Sequence, residues 1–238
     1  MPAEKFADFI GQLADRGYVG ASVTVPHKEA ALRLSRPDAL ASAVGAANML
    51  WLEGSVLNSS NTDVAGFMEN LAATVPGWNV EADSAVVLGA GGAARSIVYG
   101  LIDRGIRHIH VVNRSFDRAV LLRKRFGERV VPHRWDTIDA LLPQADLRVT
   151  TTTLGMTGQP PLALDLAALP NRAVVADIVY APLVTPLLAA ARARSLRTVD
   201  GLGMLLHQAV GAFARWFGVR PRVTGDLRAL VEADLIRT

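Results

Sequence analysis

The side chains of this chain that could move a proton or hold a phosphate fall at a few points. Lys28 follows the strand-like run Ser22-Val-Thr-Val-Pro-His27, and Asp63 stands at the start of a helix-like run. Strand ends are a common place for chemistry, yet spacing alone favours a solvated lysine that opens the next helix. Asp63 reads equally well as a helix cap. Asn48 lies in an otherwise apolar strand, where a buried amide must satisfy backbone groups or face a polar ligand. The phosphate signal is stronger. Ser84-Ala-Val-Val-Leu88 is an apolar run entering the small-residue turn Gly89, Ala90, Gly91, Gly92 and Ala93, and residues 93–104 then read as a helix ended by Gly105. Small residues let the backbone approach a pyrophosphate, whose charge the unpaired N–H groups of the helix start stabilise. Many strand-to-helix turns carry glycine only for the bend, but here a second apolar run, 108–112, follows at βαβ spacing. Its end is Asn113-Arg114-Ser115, where an NAD site would usually place an acid.

The elements that must position these residues follow from periodicity. Phe6, Phe9, Ile10 and Leu13 make an apolar face on a helix over 3–16. Residues 21–25 alternate as a strand that Pro26 stops. Residues 46–52 and 55–57 make a hairpin turned by Glu53-Gly54, and 58–63 is a polar loop before a helix over 64–73. Past the glycine turn, short strands at 130–131, 147–150, 173–178 and 198–199 alternate with helical stretches, and 204–217 is an amphipathic helix carrying Gln208. The alternation predicts an α/β fold with a doubly wound parallel sheet. Its ligands should lie at the carboxyl ends of the strands, where Thr151 to Met156, Tyr180 and Asp200-Gly-Leu-Gly203 fall.

Composition narrows the class. Half of the 238 residues are apolar, enough for one large core or two small ones. Without cysteine there are no disulfides and no thiolate metal sites, and no metal site is expected; a reducing cytoplasm fits this usage. No apolar run reaches the roughly 20 residues that span a bilayer, and the N-terminus lacks the form of a signal peptide. The formal charge is only +3 and the arginines are scattered among acids, so neither nucleic acid nor membrane is expected as a partner.

These pieces together resemble the shikimate dehydrogenase family. Ser22-Val-Thr-Val-Pro-His-Lys28 is similar to its signature N-V-T-V-P-H-K. Gly45-Ala-Ala-Asn48, Asn61-Thr-Asp63 with Gly66-Phe67, the glycine turn, Asn113-Arg-Ser115, Gly155-Met156, Asp177-Ile-Val-Tyr180 with Thr185-Pro186, and Gly201-Leu-Gly-Met204 leading to Gln208 follow in the family's order. The resemblance covers essentially the whole chain. It implies reversible, NADPH-dependent reduction of 3-dehydroshikimate to shikimate, on the route to aromatic amino acids, by a Rossmann-type NADP lobe and a smaller α/β substrate lobe. Residues 83–202 would form the NADP-binding domain, 1–82 the N-terminal part of the substrate domain, and 203–238 helices returning to it.

The resemblance also implies roles. Lys28 matches the family's acid/base lysine and Asp63 its partner, while Thr24, Asn48, Tyr180 and Gln208 match positions around the substrate. Gly89 to Ala93 match the pyrophosphate turn, Asn113, Arg114, Ser115 and Arg118 the adenosine end, and Ile178 and Gly201 the nicotinamide. Arginine offers an adenosine 2′-phosphate a planar fork of donors, so Arg114 and Arg118 favour NADP over NAD. Two departures stand out. Met49 replaces a usual threonine, and nothing before Phe6 corresponds to the family's Ser-x-Ser segment, which grips the substrate carboxylate. A late start or a natural short form would explain the second, and weaker substrate binding would follow. A paralogue acting on quinate or another cyclic polyol acid, and an NADP-binding protein without turnover, are the alternative readings. The small-molecule enzyme would be cytoplasmic and a monomer or homodimer.

Overall fold

The computed structural model describes residues 2–162 and 164–235. Its first part runs α1 (Phe6–Gly11), β1 (Gly20–Ser22), α2 (Lys28–Arg33), β2 (Arg36–Pro37), α3 (Ala39–Val44), β3 (Met49–Glu53), β4 (Val56–Ser60) and α4 (Asp63–Thr74). These strands form one sheet in the order β1-β3-β4-β2, antiparallel except where β2 lies along β4. The chain continues as β5 (Ser84–Leu88), α5 (Gly92–Asp103), β6 (His108–Val112), α6 (Phe116–Phe126), β7 (Val130–His133), α7 (Ile138–Leu141), β8 (Leu147–Thr150), β9 (Val174–Asp177), α8 (Pro186–Ala193) and β10 (Arg197–Val199). This second sheet is wholly parallel, in the order β10-β9-β8-β5-β6-β7. Winding reverses between β5 and β8, which places the ligand crevice of such a sheet at their carboxyl ends.

Both faces of the parallel sheet are covered, which is why its strands are near-continuous apolar runs. Every residue of β5 is buried. Ala85 and Val87 face Ile97 and Leu101 of α5, and Phe67 and Leu71 of α4 join that core. Val86 and Leu88 face a second core with Ile138, Leu141, Leu187 and Leu188. From β10 the chain passes through Asp200, whose carboxylate accepts the Leu202 and Gly203 N–H groups, into α9 (Gly201–Phe217). This helix packs on α4, and its Trp216 Nε1 donates to Leu50 O of the first sheet at 3.1 Å. Helix α10 (Gly225–Leu235) lies beyond, with Arg228 bonded to Asp200 at 2.8 Å.

Several elements differ from the sequence pattern. The first helix stops at Gly11 and continues as turns. Strand β1 pairs only as far as Ser22, although Val23 N still donates to Asn48 O. Thr24, Val25 and Pro26 leave the sheet and reach the crevice. The hairpin turns at Gly54-Ser55, one residue late, with Gly54 at φ +59°. Asn58, Ser59 and Ser60, expected as loop, are strand because they pair with Trp51, Leu50 and Met49 of β3, and β2 lies along Asn58 and Ser59 on the other side.

His110 and His133 meet across β6 and β7, ring nitrogens 2.9 Å apart. Burial lowers both pKa values, and for His110 the neighbouring His133 adds to the effect. The unfolded chain therefore takes up protons near the ordinary value of 6.5, where the folded pair still resists them. Stability should fall as pH drops through and below that value. His110→Gln should flatten the dependence of melting temperature on pH between about 7 and 5; an unchanged slope would exclude this pair as its source.

Candidate active site

Lys28 is the first residue of α2, and its aliphatic stem lies against Gly92 at the start of α5. A Cβ added there would sit 2.9 Å from Lys28 Cβ. The Lys28 Nζ donates to Asp63 Oδ2 at 2.7 Å, with Asp63 fully buried and Lys28 only 8% exposed. Asp63 opens α4 without capping it. That task falls to Asn61, whose Oδ1 accepts the Val64 N–H and whose Nδ2 donates to Ala46 O and to Ser96 Oγ. The Asp63 carboxylate is thereby left to the lysine and to Asn48, and the positive end of α4 favours its charge.

Asn48 is the hub of the polar cluster. Its Oδ1 accepts the Thr62 N–H at 2.7 Å, while Nδ2 has Thr62 Oγ1 at 2.9 Å and Asp63 Oδ1 and Gln208 Oε1 each at 3.2 Å. An amide has two N–H bonds, so three acceptors share two protons. Gln208 arrives on α9, which approaches α4 at glycines. A Cβ on Gly66 would lie 2.8 Å from Gln208 Cβ and 2.9 Å from its backbone N, and one on Gly203 would collide with the Asn70 amide.

This cluster opens into a cavity of about 400 Å³ lined by Thr24, Lys28, Asp63, Tyr180 and Gln208 together with Ile178, Gly201, Met204 and Thr151 to Thr153. The segment bearing Ile178 and Tyr180 is held by Asp177, which accepts the Val179 N–H at 3.1 Å and the Thr185 hydroxyl at 2.8 Å. Burial raises the Asp177 pKa, against those two bonds and the charge of Arg148. Lys28, Ala93 and Thr151 to Thr153 also border a second cavity of about 370 Å³, lined by Gly89 to Gly92, Asn113, Arg114, Arg118 and Glu29.

The second cavity has the character of a dinucleotide cleft. Gly89 turns with φ +112°, and a Cβ on Gly91 would meet only open space. Gly91 precedes α5, whose start has no side-chain cap and no acid in its first turn. Those N–H groups are available to an anion. At the far end of β6 stand Asn113 and Arg114 instead of a carboxylate. Of the expected site residues, Asn48 and Ser115 stay outside both linings: the Asn48 amide is taken up behind Asp63 and Gln208, and the Ser115 carbonyl accepts the Asn113 amide at 2.9 Å. Glu29 and Arg95 are structural members that pattern alone does not mark, since they meet across 66 residues of chain.

Residues 70–202 match the shikimate / quinate 5-dehydrogenase family, 1–50 the shikimate dehydrogenase substrate binding domain and 201–230 the shikimate 5′-dehydrogenase C-terminal domain. A shikimate dehydrogenase (NADP(+)) of Rhodopseudomonas palustris (strain TIE-1) is 61% identical over 99% of this chain and 84% of its own length. The chain belongs to the shikimate dehydrogenase family. Its fold is shared with shikimate 5-dehydrogenase of Thermus thermophilus, solved with NADP(H) and shikimate (32% identity, TM-score 0.83, 100% of this chain and 85% of that one). It is shared equally with quinate dehydrogenase of Corynebacterium glutamicum in complex with NAD (29% identity, TM-score 0.84, 98% and 83%).

In this member of the shikimate dehydrogenase family, the α4 and α9 contact decides where Gln208 sits. Gly66→Ala must push Gln208 backbone, not a flexible tip, so it should cost about 1–3 kcal/mol and lower the melting temperature by several degrees. A Gly66→Ala protein that melts with the wild type would show that the seam has slack.

Proposed function

We propose that this chain is an NADP-dependent shikimate dehydrogenase, interconverting 3-dehydroshikimate and shikimate in the cytoplasm. The observation that carries this reading is the buried Lys28 and Asp63 pair, facing one cavity while the lysine stem rests on the glycine turn of the next. We assign residues 83–202 to the cofactor, and 1–82 with the helices after 202 to the substrate, the expected boundary falling inside the continuous helix α9.

Gly89 to Ala93 and the start of α5 would hold the pyrophosphate, Arg114 with Asn113 and Arg118 the adenosine phosphate, and Ile178 and Gly201 the nicotinamide, which supplies the hydride. The chain's own part is to manage charge. As the ketone carbon is reduced, its oxygen gains negative charge, which the Lys28 ammonium stabilises and neutralises by giving up a proton. Asp63 keeps that ammonium on one line, and Asn48 keeps Asp63 and Gln208 in register. Thr24, Tyr180 and Gln208 offer hydrogen-bond partners for ring hydroxyls around the same cavity, and Asn48, behind its lining, would reach a hydroxyl only by giving up one of its present partners. In the oxidative direction Lys28 takes the hydroxyl proton.

The purified protein should oxidise shikimate with NADP in preference to quinate. Lys28→Ala should lower kcat at least about a hundredfold and leave NADPH affinity nearly unchanged, because proton transfer and cofactor binding use different groups. A Lys28→Ala enzyme with wild-type turnover would remove the lysine from the mechanism, and faster turnover of quinate would reassign the substrate.

A further inference from the structure

Glu29 follows Lys28 directly on α2, and its two carboxylate oxygens hold different arginines. Oε2 accepts from Arg95 Nη2 of α5 at 3.2 Å, and Oε1 from Arg118 Nη2 of α6 at 3.1 Å. Arg95 is nine-tenths buried, and its guanidinium Nε has no hydrogen-bond partner among the described residues. Burial, and to a lesser degree the like charges of Arg125 and Arg118, press its pKa down, with Glu29 opposing. Arg118 is the contrasting arm, more than half exposed at its side chain and lining the dinucleotide cleft.

We propose that Glu29 is a positioning residue that couples the adenosine-phosphate end of that cleft to the placement of Lys28. This rests on the function proposed above. Arg118 cannot give the same N–H groups to Glu29 and to a phosphomonoester. A dianion outcompetes one carboxylate for it, so Arg118 turns to the phosphate when one is present and Glu29 settles on Arg95 alone. Arg95 lies one turn along α5 from Gly92, against which the Lys28 stem packs, and beside Ser96, which bonds Asn61. Glu29 on Arg95 therefore holds the first turn of α2, and with it Lys28, onto the glycine turn. With no 2′-phosphate the carboxylate stays divided between the two arginines.

Two effects of opposite sign follow, and a merely structural salt bridge would not produce both. Glu29→Gln removes a competitor for Arg118, so it should bind 2′,5′-ADP about two- to fivefold more tightly, the span of a partly exposed ion pair. Its affinity for 5′-AMP, which lacks the 2′-phosphate, should not change. At the same time kcat should fall, because Lys28 loses its neighbour's anchor. Arg95→Gln should lower kcat likewise but weaken 2′,5′-ADP, since Glu29 is then left wholly to Arg118. Titration calorimetry of the two nucleotides needs neither turnover nor substrate. Unchanged or weaker 2′,5′-ADP binding by Glu29→Gln, in a protein whose wild type prefers 2′,5′-ADP to 5′-AMP, would overturn the coupling alone. A wild type without that preference would overturn the cofactor assignment of Arg114 and Arg118 and the coupling with it.

Discussion

The pair formed by Lys28 and Asp63 places two opposite charges almost entirely out of water. Desolvation costs several kcal/mol per ion in a protein interior, so such a pair persists only where geometry is good and the remaining lone pairs and protons have partners. Much of the surrounding structure meets that condition. Asn61 caps α4 so that Asp63 is not consumed as a cap, and Asn48 takes the second carboxylate oxygen. Thr62 and Gln208 in turn fix the Asn48 amide. A hydrophobic pair in its place would cost less to bury, and the proposed chemistry gives a reason for keeping charges there.

In the proposed function the pair also has to lie beside a nucleotide, and α5 provides the register. Gly92, Arg95 and Ser96 share one side of its first turns and meet Lys28, Glu29 and Asn61 respectively. The helix that begins at the glycine turn is thus also the surface on which α2, with Lys28, rests. Arg125 adds a fourth tie, donating to the Ser42 and Ala43 carbonyls at the end of α3. On the opposite side α9 carries Gln208 from the parallel sheet to α4, through glycine contacts that admit no extra carbon. Residues from the beginning and the end of the chain in this way line one cavity.

The parallel sheet was legible because its central strands are largely buried, so 85–88 is apolar throughout, 108–112 carries Ile109, Val111 and Val112, and both are bounded by glycine or polar turns. Strand β2 was not, being two residues long with a proline and defined only by β4. Asn58 to Ser60 were misread as loop because polar side chains in a strand look like a turn until the neighbouring strand is known. Asp63 was ambiguous for a related reason: a carboxylate at a helix start is an ordinary cap, and only Asn61 taking the Val64 N–H shows otherwise. Family resemblance supplied Lys28, Asp63, Asn48 and Gln208, but it did not mark Glu29 or Arg95. Their significance lies in contacts between helices far apart in the chain, which no local pattern encodes.

The central claim is that Lys28 and Asp63 work as one unit. It is tested most directly by a double-mutant cycle on kcat for shikimate oxidation, with Lys28→Ala, Asp63→Asn and the double variant. If the carboxylate acts only through the ammonium, the double variant should be no slower than Lys28→Ala alone. Losses that multiply would show that Asp63 contributes independently of the lysine, and would contradict the account.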